Sequence, residues 1–212
     1  MKALGMFEVY SFTTAVCAAD AAAKAADVQI AAFDRNRPVK TDVPAPLVME
    51  VKLTGDVSAV QAAVEAGCAY AQRQGRLIVS HVIAHPDSQT EKLAYRMDIN
   101  RDKFNKKLPK SFVGNPPARD LWNGALGFLE VQGLVASIAG LDAMAKAADV
   151  RLVHTEKRLG GRLVTLVITG TVSSVRAAVE AGKAAAQPLG QVYSAETIAR
   201  PDCEITKFFD MA

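Results

Sequence analysis

Two tandem copies of an α+β domain, each a mainly antiparallel sheet with helices on one face, are predicted by three observations. Residues 3–9, ALGMFEV, return at 125–131 as ALGFLEV, and the likeness continues through most of each half. Residues 20–28 match 142–150 at the same spacing; from Thr54 and Thr169 onward the spacing shortens by seven residues and then holds through 62–67 against 177–182 and 83–87 against 198–202. Finally, each half reads as strand, helix, two strands, helix, strand, the split βαβ order. Each copy spans about ninety residues, enough to enclose a small core, so this is a fused pair rather than a solenoid. Fused pairs of like domains are covalent versions of symmetric oligomers, in which formerly equivalent positions can diverge.

The elements follow in order. Residues 3–10 alternate as a strand, and 13–26 form an alanine-rich helix with Ser11 or Thr13 as its N-cap. Strands at 28–34 and 47–55 flank a long loop, and Gly55-Asp56 turns the chain into a helix at 57–73. A last strand occupies 77–83, and the second copy repeats the series from Ala125 to Ile198. The expected boundaries are a first domain at 1–87, a charged connection at 88–122, a second domain at 123–202 and a tail at 203–212.

Composition points to a soluble, cytoplasmic chain. Half of the residues are hydrophobic, with eight Phe, four Tyr and one Trp, and no apolar run approaches the ~20 residues that span a bilayer. The N-terminus opens on a strand pattern rather than a basic-then-apolar leader. A formal charge of +3 is too small to imply nucleic acid. Cys17, Cys68 and Cys203 lack C-x-x-C spacing, which argues against a disulfide framework or a zinc site.

The ordered set Ala-Leu-Gly-Φ-Φ-Glu-Val, Asp-x-x-x-Lys-Ala-Ala-x-Val, Gly-x-Val, Ala-x-x-Ala-Gly and Val-x-x-x-x-Ile-x-Arg-Pro resembles the BMC domain of bacterial microcompartment shell proteins, over roughly residues 2–87 and 123–202. The second copy is the nearer match. The resemblance implies a ferredoxin-like split βαβ variant in unpermuted order and a homotrimer imitating the hexagonal tile of single-domain relatives. It further implies a place in the facet of a microcompartment shell, other shell proteins (hexamers and pentamers) at the tile edges, and passage of small metabolites through a central pore. No cofactor, nucleic acid or membrane is expected.

Site residues follow from the resemblance. Lys24 and Lys146 match the family's edge lysine, whose aliphatic stem packs along a neighbouring tile while its ammonium reaches carbonyl oxygens. Arg200 matches the accompanying edge arginine, and His85 stands in its place in the first copy. The pore falls in the loop between the second and third strands. In the second copy Lys157, Arg158, Leu159, Gly160, Gly161 and Arg162 resemble the glycine-bearing pore loop, where backbones crowd an axis without Cβ clashes. In the first, Arg35, Asn36, Arg37, Pro38, Val39 and Lys40 begin a longer loop stiffened by prolines and lacking glycine. Both loops are basic, a pattern that favours anionic solutes. Neither has a cysteine, which disfavours the variant carrying an axial iron–sulfur cluster.

The connection at 88–122 holds most of the net positive charge, with Lys92, Arg96, Arg101, Lys103, Lys106, Lys107, Lys110 and Arg119 against Glu91, Asp98, Asp102 and Asp120. Two readings stay open: a linker packed across one tile face, or an arm that docks an encapsulated enzyme's targeting helix or a neighbouring tile.

Catalysis is the competing class, and its inventory is poor. His81, His85 and His154 lack metal-ligand spacing, no nucleophile elbow or P-loop occurs, and Glu8 and Glu130 are single repeated carboxylates on strands, expected to accept hydrogen bonds within each domain. A soluble trimeric regulator binding a small ligand between subunits is the alternative on a related fold.

Overall fold

The computed structural model describes residues 2–38, 40–87, 90, 124–156 and 162–209. The described residues fall into two compact units. The first gathers those from 2 to 87, apart from Ser11–Thr13, together with Asp202–Phe208; the second gathers Ser11–Thr13, those from 124 to 201, and Phe209. The compact units thus exchange short segments relative to the sequence repeats. The connection at 91–122 lies outside the described residues.

The first unit contains β1 (Ala3–Tyr10), α1 (Phe12–Ala25, whose first two residues group with the second unit), β2 (Val28–Asn36), β3 (Val48–Gly55), α2 (Val57–Arg73) and β4 (Leu77–Ile83). Its antiparallel sheet has the order β2-β3-β1-β4. The period-2 alternation of β1 sends Gly5, Phe7 and Val9 to one face, opposite Leu53, Val51 and Met49 of β3. That face packs on the helices. A Cβ on Gly5 would fall 2.7 Å from both Val60 and Val64 of α2, and one on Gly67 of α2 would meet the Phe7 ring at 2.9 Å and the Ala18 carbonyl of α1 at 3.0 Å. Small residues at these points let helix and sheet approach closely. The opposite face carries Met6, Glu8 and Tyr10, all half-buried.

The second unit repeats the plan with β5 (Ala125–Gln132), α3 (Leu134–Ala147), β6 (Val150–Glu156), β7 (Leu163–Gly170), α4 (Val172–Ala186) and β8 (Val192–Ile198) in a sheet of order β6-β7-β5-β8. Thr171 caps α4 by accepting from the Ser174 amide. The core collects Leu129, Val131, Met144, Val164, Leu166, Ile168, Val175 and Val179. Corresponding strands even share their irregularities. The register shifts between Ile30 and Ala32 and again between Leu152 and His154, and between Glu8 and Val9 and again between Glu130 and Val131. Bulges at the same points in both sheets are structural evidence of duplication. A helix of four residues, Cys203–Thr206, follows β8.

Two sequence expectations shift. Residues 35 and 36 belong to β2, because the ladder continues through Arg35 opposite Met49 and Asn36 opposite Val48 before the prolines end it. α1 starts at Phe12, so Thr13 lies inside its first turn and only Ser11 precedes it. Ser11 has a φ of 82°, uncommon for a non-glycine residue. Among the described residues no helix is long and apolar enough to cross a membrane.

Candidate functional site

The two sheets differ most on the face turned away from their helices. In β5, Phe128 and Glu130 on that face are inaccessible, whereas their counterparts Met6 and Glu8 of β1 remain half-open. The cause lies in what covers it. Within the second unit, Ser11 Oγ donates to Glu130 Oε2 at 2.8 Å and the Thr13 amide donates to the same oxygen at 2.9 Å. The Phe209 ring lies 6.1 Å from that of Phe128 and 5.5 Å from His154, centroid to centroid. The expectation that Glu130 bonds within its own repeat is therefore corrected: its donors are residues 11 and 13 of the sequence. Glu8 has no hydrogen-bond or ion-pair partner among the described residues.

Corresponding positions at the start of the two first helices show the same inequality. Phe12, Thr13 and Val16 are 3%, 0% and 1% exposed; their counterparts Leu134, Val135 and Ile138 are 64%, 70% and 67% exposed. Apolar residues at i, i+1 and i+4 share one helix face, so α3 presents a continuous greasy stripe.

Asp202–Phe208 gives a second covered surface, in the first unit. Glu204 accepts from the Ile30 amide at 2.7 Å, the Asp202 amide donates to Asp20 at 2.8 Å, and the Phe208 ring meets Phe33 edge-on at 4.9 Å. Asp202 and Glu204 thus use the short helix as a clamp, Asp202 also accepting from the Glu204 amide as its cap. The counterparts of Asp20, Ile30 and Phe33 are Asp142, Leu152 and Thr155, all exposed.

The residues matched to the tile edge are all exposed, and both lysines have a local carboxylate. Lys24 pairs with Asp20, and Lys146 with Asp142 at 2.7 Å, each one helical turn apart. Burial raises the Asp20 carboxyl above its usual range, against the lowering effect of Lys24 and the Asp202 amide. His85 and Arg200 follow the last strands of the two repeats.

Of the loop residues, Arg35, Asn36, Arg37 and Lys40 are exposed and Pro38 is half-buried, while Ala45 and Leu47 are buried and anchor the return of the chain into β3. Val39, Lys157, Arg158, Leu159, Gly160 and Gly161 lie outside the described residues. Arg162 is exposed at a φ of 62° immediately before β7, and its carbonyl accepts from the Gly133 amide at 2.9 Å.

One charged row lies across the open face of the first sheet. Cross-strand pairing sets Asp34 opposite Glu50 and Glu50 opposite Glu8. Lys52, almost fully buried, approaches Glu50 at 3.5 Å and Asp34 at 3.7 Å. Burial pushes the Glu50 carboxyl up, with Lys52 opposing it. Cys68 is buried on α2, which raises its thiol, and Cys17 is buried on α1. Among the described residues no three His, Cys, Asp or Glu side chains gather as a metal site.

Sequence reasoning did not find the Ser11–Glu130 contact, the Asp202–Glu204 clamp or the bare stripe on α3. Phe12 and Leu134 are equally apolar in the sequence, and only the fold reveals that one is covered and the other is not.

The BMC domain family matches residues 3–86 and 125–201, most of the chain and one match per repeat. The chain is 29% identical over 199 residues to the carboxysome assembly protein CcmO of Synechococcus elongatus, covering 94% of this chain and 65% of that protein. It is 46% identical over 83 residues to the bacterial microcompartment shell protein PduA of Citrobacter freundii, covering 39% of this chain and 88% of PduA. A solved structure of a microcompartment protein from Desulfitobacterium hafniense covers 98% of this chain and 99% of its own at 25% identity, with a TM-score of 0.38. Two such domains in one sequence make the chain a tandem member of the BMC domain family of bacterial microcompartment shell proteins, which are structural rather than enzymatic.

Proposed function

We propose that three copies of this chain close into a pseudo-six-fold ring, a tile of a microcompartment facet with a central opening for small metabolites. The observation that carries this reading is the pairing of covered and bare counterparts. Ser11–Thr13 seal the Glu130 face of one sheet, while the matching stretch around Leu134 and Val135 is bare and the matching residue Glu8 is only half-buried. A second copy that sets its α3 stripe on the Glu8 face repeats the same contact between chains. Such a contact is heterologous, the same two unlike surfaces meeting each time, and it ends only when the ring closes. Two domains per chain and a six-domain tile give three chains.

Within this ring Arg35, at the end of β2, and the proline-stiffened loops with Arg37 and Lys40 alternate with the glycine loops with Lys157 and Arg158, rimming a three-fold opening that favours anions. Lys24, Lys146, His85 and Arg200 lie on the outer edge toward neighbouring shell proteins, and the tile resides in the shell within the cytoplasm. Residues 88–122 serve as a linker across one tile face or as an arm for encapsulated enzymes or neighbouring tiles.

The test is substitution of the stripe. Leu134→Asp with Val135→Asp places two charges at positions that are exposed within a single chain, so the fold should survive; surface changes of this kind typically cost within about 0.5 kcal/mol. In sedimentation velocity the native chain should run as a trimer and the double variant as a folded monomer. A native monomer, or a variant that remains trimeric, overturns the ring.

A further inference from the structure

The covered contact and its bare counterpart are not chemically equivalent, and the differences fall on both partners at once. On the donor side Ser11, whose hydroxyl serves Glu130, is replaced by Gly133, which has none. Gly133 has a φ of 103°, and the nearest neighbour of a Cβ built there is Nη2 of Arg162, at 3.6 Å. A guanidinium thus stands beside the position where the first repeat carries its hydroxyl. By strand register the counterpart of Arg162 is Leu47, since Leu163 lies opposite Gln132 as Val48 lies opposite Tyr10, and Leu47 is buried.

On the acceptor side the change is complementary. Glu130 lies opposite Thr165, a neutral neighbour; its counterpart Glu8 lies opposite Glu50, a second carboxylate. Like charges directly opposite each other destabilise a sheet. Lys52 approaches Glu50 and Asp34, and Glu8 has no ion-pair partner among the described residues. The exposed guanidinium of Arg162 also has no ion-pair partner among the described residues.

We propose that Arg162 is a subunit-interface residue, which bridges Glu8 and Glu50 of the adjacent copy of this chain and replaces the Ser11 hydroxyl at the contact made between chains. This rests on the ring reading and moves Arg162 from the pore loop to the junction. A planar guanidinium can serve two carboxylates through separate N–H donors, which a hydroxyl cannot. The consequence is selectivity. The arginine-bearing surface matches the double-carboxylate face of the first repeat and mismatches the single buried Glu130 of the second, so the two kinds of contact do not interchange and the copies alternate around the ring.

The experiment measures trimer dissociation by sedimentation equilibrium at low and high salt for the native chain, Arg162→Gln, Glu8→Gln with Glu50→Gln, all three changes together, and the charge exchange Arg162→Glu with Glu50→Arg. Arg162→Gln should weaken association about tenfold or more at low salt, less at high salt, with an unchanged circular dichroism spectrum. The triple variant should lose little beyond the larger of its parts. The exchange should recover association relative to Arg162→Glu alone, a rescue that a merely structural arginine would not give. A native trimer whose dissociation Arg162→Gln leaves unaltered, or an exchange that rescues nothing, overturns the proposal while the ring stands; a monomeric native chain overturns both.

Discussion

Gly190→Ala should destabilise the second unit by more than about 3 kcal/mol. Gly190 lies in the turn between α4 and β8, where its amide donates to the Ala186 carbonyl at 3.0 Å. A Cβ there would sit 2.2 Å from the Gln132 carbonyl oxygen and 2.9 Å from the Ala136 methyl. The first obstacle is backbone, fixed by the Gln132 amide donating to the Gln191 carbonyl at 2.9 Å, so no rotamer change relieves it. Gly75, its counterpart, is the control. It has a φ of 64° and open space around its missing side chain, so Gly75→Ala should cost only the left-handed backbone strain, roughly 1–2 kcal/mol. Thermal denaturation of the two variants should separate them clearly; equal costs would show that the turn at Gly190 relaxes.

Glu130→Ala should follow, at about 2–4 kcal/mol. The carboxylate is wholly buried and holds the Ser11 hydroxyl and the Thr13 amide, and deletion leaves that amide an orphan away from water. Among the described residues the Oε1 atom already lacks a hydrogen-bond partner, as do the buried hydroxyls of Thr13 and Thr165, so the site has little capacity to re-satisfy what is lost. Glu8→Ala, measured in the monomeric Leu134→Asp and Val135→Asp background, should change stability by less than about 0.5 kcal/mol, because its counterpart contact is missing there. Chemical denaturation of both variants checks this. A cost at Glu8 equal to that at Glu130 would contradict the inequality of the two faces.

Local pattern carried much of the fold. Strands at 3–10 and 77–83 and the helix at 57–73 lie where alternation and alanine periodicity put them, and the split βαβ order appears twice. β2 ran past its expected end because pairing with β3, rather than residue preference at Arg35 and Asn36, sets how far a hairpin ladder extends. The candidate site was less legible for a physical reason. Exposure is a property of a pair of surfaces, and Phe12 with Leu134, or Val16 with Ile138, are near-synonyms in hydropathy. Cys203-Glu204-Ile205-Thr206 reads as a polar tail until Glu204 is seen holding the Ile30 amide. Arg162 looked like one more basic loop residue because its relation to Gly133 spans 29 positions and exists only through the β5–β7 pairing. Duplication supplied what a single domain would not: for each buried contact there is a counterpart whose bareness calls for a partner.

The head-to-tail junction is tested most directly by cross-linking. Glu8→Cys and Val135→Cys in one chain, with Cys203→Ser to remove the accessible native thiol, place thiols at the counterparts of Glu130 and Thr13, whose carboxylate and amide lie 2.9 Å apart. After treatment with a short bifunctional thiol reagent, denaturing electrophoresis should show covalent dimer and trimer, ending at three times 22.5 kDa, and neither single-cysteine variant should cross-link. Monomer alone, a ladder that continues beyond trimer, or linkage by one cysteine with itself would contradict a closed ring built from two unlike surfaces.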